Sequence, residues 1–185
     1  MPVKKILSKK SLLPSYLNSA VFGAHDGIIT TFAVVAGVSG AKLPINVIIV
    51  LGIANMVADG VSMAVGDYLG ELSEQKMRAK NHLSYHKKRL WRTGLVTFSS
   101  FVLAGALPLL PYVLYLAGIP LPINNQFLLS ILATGLSLFF VGSLRTFFTH
   151  GSWFKNGMQM LLIGSIAATL AYLVGAMVEN LITGH

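Results

Sequence analysis

Long runs of apolar residues, separated by short polar or basic segments, dominate the chain. A bilayer core is about 30 Å thick, so a helix that crosses it needs about 20 mainly apolar residues. Five runs are long enough, and they predict membrane-spanning helices over residues 17–41, 45–69, 93–116, 127–144 and 158–178. Helices are predicted because an open strand edge in lipid leaves backbone groups unpaired, and because the runs lack the alternation of a transmembrane barrel.

Composition agrees with a membrane protein. Hydrophobic residues make up 54% of the 185 residues and charged residues only 11%, against roughly 25% charged residues in soluble domains. This composition excludes a soluble globule and a disordered chain, and the absence of cysteine excludes a disulfide-rich scaffold. We therefore predict an all-α integral membrane protein whose residues 1–185 form a single transmembrane domain.

The basic residues predict the orientation of the chain in the membrane. Every Lys and Arg except Lys42 lies in the N-terminal tail, in segment 70–92 or between the fourth and fifth spans. The positive-inside rule then places the N-terminus in the cytosol and the C-terminus outside. The net charge of +8 is interpreted as a topology signal, so no nucleic-acid partner is predicted. The first span follows the tail without a cleavage site, and we expect it to be retained.

Prolines are concentrated at one end of the third span. Pro108 and Pro111 lie near its end, and Pro120 and Pro122 lie beyond it. Proline in a helix interior removes a hydrogen bond and clashes with the preceding turn. These residues are therefore expected to mark a helix end and an external loop.

Two acidic residues lie where hydrocarbon is predicted. An ionised side chain at the centre of a spanning helix costs about 2.5–3.5 kcal/mol on insertion scales. Asp26 lies about 13 Å from the cytosolic edge of the first span, and Asp59 about 9 Å from that edge of the second. The two carboxylates could therefore share one layer of the membrane, facing a cavity or a partner rather than lipid.

A polar stripe follows one side of the second span. Its members recur every fourth residue, and they are Asn55, Asp59, Met63, Asp67 and Glu71. Steps of four drift by only about 40° around a helix, so the members lie above one another. Such a stripe is typical of a permeation path, although interhelical hydrogen bonds worth roughly 0.6 kcal/mol could also explain it. Carboxylates favour a divalent cation, and the thioether shifts the preference toward Fe²⁺.

The first span adds further candidates around Asp26. Thr30 has a compatible spacing, whereas His25 points about 100° away and is interpreted as a packing or gating residue. Gly23 and Gly27 bracket the acid as a small-residue pair, which lets two helices approach closely. This pair is expected to pack the first helix against the second, or against the same helix of a second copy.

Two stretches of these spans resemble the vacuolar iron transporter family. They are VFGAHDGIITTFAVVAGVSGA, residues 21–41, and GIANMVADGVSMAVGDYLGELSEQ, residues 52–75. Residues 92–112 and 164–179 are similar to it more loosely. The resemblance implies five transmembrane helices per subunit and a homodimer whose ion pathway runs between the subunits, lined by their first helices. It also implies export of Fe²⁺, and often Mn²⁺, from the cytosol in exchange for protons.

The resemblance also implies site residues. The acid of the family's first-helix motif falls on Asp26, and the Met of its second-helix motif falls on Met63. The next acid of that motif falls on Asp67, where many members have Glu. Asp59 matches the nodulin-like branch better than the plant vacuolar branch. A fifth-helix Tyr falls on Tyr172.

One part of the chain departs from the family pattern. Many members insert a Glu-rich cytosolic domain, which collects metal, between the second and third spans. Here the segment between Glu71 and Trp91 is short and mostly basic, so the chain resembles a short member that lacks this domain. His82 and His86 have a spacing that can bring two imidazoles together on a helix. Because the flanking positive charge opposes cation binding, we expect a solvated linker instead.

The leading hypothesis is a dimeric transporter in which Asp26, Met63, Asp59, Asp67 and Glu71 contact the metal. His25, Thr30, Asn55 and Tyr172 are assigned to the pathway or its gate. A membrane scaffold and an uncoupled metal channel remain alternatives. The motifs HExxH and GxSxG are missing, so no enzyme activity is predicted, and no cofactor is expected apart from the transported ion. The short tails favour a plasma membrane over a vacuolar one.

Overall fold

The computed structural model describes residues 12–80, 90–121, 125–147 and 151–184. These residues form five long α-helices and a short 3₁₀ turn at Arg145–Phe147. The helices are α1 (Leu12–Gly40), α2 (Ile45–Lys80), α3 (Leu90–Leu116), α4 (Gln126–Leu144) and α5 (Trp153–Thr183). Each is long and apolar enough to cross a membrane. The predicted all-α fold with five spanning helices is therefore confirmed.

Two helices extend well beyond the predicted apolar runs. α2 continues from residue 69 to Lys80, because the added residues are mostly good helix formers and include no proline. α5 begins at Trp153 and ends at Thr183. Gly184 closes α5 in the left-handed conformation, with φ of 73°, as glycine commonly does after a helix. Hydropathy thus located both helices but underestimated their length.

Pro108 and Pro111 lie inside α3, near its end, as the predicted span 93–116 implied. α3 passes through both prolines and ends at Leu116, followed by Gly118 with φ of 72°. Each proline lacks the N–H that would bond the carbonyl four residues earlier, at Ala104 and Leu107. The Ser130 hydroxyl of α4 donates to the Pro108 carbonyl at 2.6 Å, which ties α4 to this part of α3. Pro122 lies outside the described residues.

α1 is the central helix of the bundle. It contacts each of the other four helices, while α2 packs on α3, α3 on α4, and α4 on α5. In the described part of the chain, α2 and α5 are not extensively packed on each other. Part of α1 consequently remains uncovered, and Phe22 is 59% exposed there.

Glycines set the contact between α1 and α3. A β-carbon at Gly23 would lie 2.5 Å from the Thr97 carbonyl oxygen, and one at Gly27 would collide with the Phe101 backbone. From the other side, a β-carbon at Gly105 would lie 2.9 Å from the Gly27 carbonyl oxygen. The expectation that Gly23 and Gly27 contact the second helix or a second copy is therefore wrong, because α3 occupies that face of α1.

The other half of α1 packs on α5 in a similar way. A β-carbon at Gly175 would collide with the Gly37 backbone, and one at Gly40 with the Tyr172 backbone. α1 is thus held between α3 near one end and α5 near the other. Its direction through the bundle, and with it the position of its acidic residue, is fixed by backbone contacts.

Candidate functional site

Asp26 and Asp59 lie at one level of the bundle. Each acid precedes a glycine that packs on the same residue of α3. Gly27 meets the Phe101 backbone, and a β-carbon at Gly60 would lie 3.4 Å from the Phe101 ring. The two helices therefore hold these acids at a similar level beside α3.

Both carboxylates keep oxygen atoms available for a ligand. Asp26 is half-buried, and its carboxylate accepts no hydrogen bond from the residues that the structure describes. The Thr30 hydroxyl donates to the backbone carbonyl of Asp26 instead, at 2.9 Å. Asp59 accepts a hydrogen bond from the Asn55 amide at 3.1 Å. Neither acid is neutralised by an ion pair in the described part of the chain.

The predicted polar stripe of α2 lies along the edge of the bundle. Its members are half-buried, whereas most of the residues between them are exposed; they are Asn55, Asp59, Met63, Asp67 and Glu71. At the end of the stripe nearest Lys80, Gln75 donates to the Glu71 carboxylate at 3.1 Å. The stripe thus forms a continuous polar edge along α2, with the Met63 thioether between two carboxylates.

Asp67 is tied to two other helices. Its Oδ2 atom accepts hydrogen bonds from Thr97 of α3 at 2.6 Å and from Ser19 of α1 at 3.2 Å. Both hydroxyl groups belong to buried residues. Sequence reasoning missed these two residues, because serine and threonine are common in spanning helices and no motif marked them. Asp67 therefore has a structural attachment that Asp26 and Asp59 lack.

His25 lies beside the acidic pair without joining it. Its Nε2 atom is buried and has no hydrogen-bond partner among the described residues. His25 lies on α1, outside the polar stripe of α2, and its position is compatible with packing or gating.

Tyr172 lies far from the acidic pair. Its ring stacks on Phe127 with 6.0 Å between centroids, and Phe127 stacks on Phe32 at 6.4 Å. The Tyr172 backbone contacts Gly40, which is about 21 Å along α1 from Asp26 at 1.5 Å per residue. The structure therefore brings Tyr172 to an aromatic cluster at the opposite end of α1.

One copy of the described chain does not assemble a complete metal site. Among the residues with described positions, no three His, Asp or Glu side chains converge as metal ligands would. The acids of α2 follow one another along the helix, about 6 Å apart per four residues. His82 and His86 lie outside the described residues.

α2 also carries an exposed stripe of small residues next to the polar stripe. We call it the small-residue face, and it consists of Ala54, Ala58, Ser62, Gly66 and Gly70. A β-carbon at Gly66 or Gly70 would meet nothing within 4 Å. Small residues let helix backbones approach closely in membranes. The carboxylates of α2 thus lie beside a surface that another helix could approach.

Known proteins resemble the chain over most of its length. The chain matches the VIT family over residues 17–84 and 74–176. It is 25% identical to the "Vacuolar iron transporter" of Plasmodium falciparum (isolate 3D7), with 89% of this chain and 82% of the relative aligned. It is 24% identical to "Vacuolar iron transporter 1" of Oryza sativa subsp. japonica, with 84% and 82% aligned. Because the family match covers most of the spanning helices, this five-helix membrane protein belongs to the VIT family.

Proposed function

We propose that the protein is a divalent transition-metal transporter that moves Fe²⁺, or Mn²⁺, out of the cytosol. The observation that carries this proposal is the pair of carboxylates at Asp26 and Asp59, which share one level inside a membrane-spanning bundle. Intramembrane acids are costly and usually mark ion pathways. The names of the relatives support iron as the transported metal.

The proposed transporter is a homodimer with its pathway between the subunits. One copy offers too few converging ligands among its described residues, whereas a two-fold axis beside α1 and α2 doubles each ligand. Asp26, Asp59 and Met63 of both subunits would then face the same space. The small-residue face of α2 and the uncovered part of α1 near Phe22 support close contact on this side.

Exchange with protons is the proposed driving mechanism. A carboxylate that releases a metal ion in a membrane interior can take up a proton, which avoids leaving an uncompensated charge. Asp26 suits this role because no described residue donates a hydrogen bond to its carboxylate or forms an ion pair with it. Each carboxylate would therefore carry either the metal or a proton as the transporter cycles.

The host membrane is proposed to be the plasma membrane. The relatives carry vacuolar names, so a vacuolar membrane is the alternative. A fluorescent fusion of the full chain, imaged in its own cells with markers for both membranes, distinguishes the two locations.

Transport into proteoliposomes tests the proposed function. The parent protein should accumulate Fe²⁺ when a proton gradient is imposed, and lose most of that accumulation when a protonophore removes the gradient. Asp26→Asn and Asp59→Asn should reduce the initial rate to that of empty liposomes. Glu179→Gln is the matched control, because this acid pairs with Lys42 at the other end of α1 and should transport like the parent.

The contrary outcomes are distinct. Parent-like transport by Asp26→Asn would show that the carboxylate pair is not the site. Uptake that ignores the proton gradient would favour a metal channel. A folded dimer that transports none of Fe²⁺, Mn²⁺, Co²⁺ and Zn²⁺ would favour a scaffold protein.

A further inference from the structure

The hydrogen bonds around Asp67 suggest a role that goes beyond holding the helices together. We infer that Thr97, assisted by Ser19, is a positioning residue that presents the Asp67 carboxylate to the transported metal and can release it. This inference rests on the proposed function. It concerns two hydroxyl residues that the polar stripe of α2 does not contain.

Both hydroxyl groups bind the same oxygen atom of Asp67. Thr97 Oγ1 lies 2.6 Å from Oδ2, and Ser19 Oγ lies 3.2 Å from it. Thr97 has no solvent exposure and Ser19 is also buried. Oδ1 accepts no hydrogen bond from the described residues. The carboxylate is therefore held by one oxygen, and the other remains available to a cation.

Hydrogen bonds of this kind commonly orient metal ligands. Groups that bind the far side of a ligating carboxylate fix its direction, and their loss typically reduces metal affinity or activity 10–100-fold. Here the orienting groups come from α1 and α3, so they also hold the stripe of α2 against both helices. Asp67 would otherwise be a flexible side chain at the edge of the bundle.

Thr97 has a second acceptor within reach. Its Oγ1 atom lies 3.1 Å from the Thr93 carbonyl oxygen, one turn earlier in α3. A hydroxyl group has one hydrogen, so it donates to one of the two acceptors at a time. If Asp67 turns toward a cation, Thr97 can donate to Thr93 instead. Release of the carboxylate then leaves the Thr97 hydroxyl with an acceptor, whereas a buried hydroxyl without one would be costly.

If the hydrogen bonds from Thr97 and Ser19 are purely structural, their loss should have a different kinetic effect than if they position Asp67. A structural role would change the amount of folded protein, and with it the maximal rate. A positioning role would change the KM for the metal in the protein that does fold. The proteoliposome assay with Fe²⁺ separates the two when rates are normalised to folded, reconstituted protein.

Thr97→Val is the main test variant, because it removes the hydroxyl and keeps the branched shape. We expect it to raise the KM for Fe²⁺ by about tenfold or more, with a smaller effect on the normalised maximal rate. Thr97→Ser keeps the hydroxyl and should restore a KM close to that of the parent. Ser19→Ala should raise the KM less than Thr97→Val, since its hydrogen bond is longer. In an Asp67→Asn background, Thr97→Val should change the KM no further.

Thr134→Val is the matched control. Thr134 is equally buried in the bundle, but its hydroxyl has no hydrogen-bond partner among the described residues, so this variant should keep the parent KM. A parent-like KM in Thr97→Val, together with loss of transport in Asp26→Asn, would overturn the positioning role and leave the proposed function standing. Parent-like transport by Asp26→Asn would instead reject the proposed site. If Thr97→Val does not fold, an unchanged KM in Ser19→Ala overturns the inference.

Discussion

The backbone of Gly27 in α1 lies directly against the backbone of Phe101 in α3, with no room for a β-carbon between them. Gly105 completes the contact from α3, since a β-carbon there would lie 2.9 Å from the Gly27 carbonyl oxygen. Asp26 immediately precedes Gly27, so this contact sets the height and direction of its carboxylate. The packing of two apolar helices thereby determines where the acid points.

Gly27→Ala should destabilise the protein and impair transport together. The added methyl group must push α1 away from α3, and overpacking of this kind costs about 1–3 kcal/mol. We expect a lower midpoint of thermal unfolding in detergent and a reduced rate of Fe²⁺ uptake. Gly135→Ala in α4 is the control, because its β-carbon would make only an ordinary contact with the Leu161 side chain, at 3.5 Å. Equal unfolding midpoints for the two variants would contradict the close contact.

Met63→Leu should change metal preference more than stability. The two side chains have similar volumes, so the substitution usually costs less than about 1.5 kcal/mol. The Met63 thioether is the softest group of the stripe, and soft ligands favour iron over harder cations. The substitution removes this preference. We expect a several-fold higher KM for Fe²⁺ and little change for Mn²⁺, measured by competition between the two metals. An unchanged ratio of the two KM values would assign Met63 to packing.

The fold was predictable as far as its determinants are local. Hydropathy and length give five helices, and a spacing of four residues gives the half-buried stripe of α2. The partner of Gly23 and Gly27 was not predictable, because a pair of small residues fits any helix that comes close. The bond from Ser130 of α4 to the Pro108 carbonyl was missed for a related reason, since it forms only where α4 packs on α3.

The candidate site was predictable to a similar extent. The common level of Asp26 and Asp59 follows from the constant rise of a helix, so depth along the sequence was enough. The bonds from Ser19 and Thr97 to Asp67 connect three helices, and such contacts appear only after packing. Many described hydroxyl groups in these helices, such as Ser99, donate to their own backbone. Nothing in the sequence distinguishes Thr97 from them.

A cysteine in place of Phe22 should report the proposed dimer. The chain has no native cysteine, so Phe22→Cys can form a disulfide only with a second copy. Phe22 is 59% exposed and lies one turn from Asp26 on α1. A disulfide requires α-carbons about 4.4–6.8 Å apart, which helices meeting on a two-fold axis can provide. We expect a covalent dimer after mild oxidation in membranes.

Leu136→Cys is the control for this experiment. Leu136 is 73% exposed on α4. The Leu136→Cys variant should remain monomeric under the same oxidation. Crosslinking through position 136 but not through position 22 would move the interface to α4 and reject a pathway beside α1. Crosslinking through neither position would reject close contact of the two α1 helices.

Single cysteines should also establish the orientation of the chain in the membrane. Lys80 ends α2 and Ile119 follows α3, so the two positions lie on opposite sides of the membrane. With basic segments in the cytosol, an ion leaving the cytosol meets Glu71 and Asp67 before it reaches Asp59 and Asp26. An impermeant maleimide should therefore label Ile119→Cys in intact cells and Lys80→Cys only after permeabilisation. The reverse pattern would place Asp67 on the exit side, and export from the cytosol would then require the ion to meet the stripe in the opposite order.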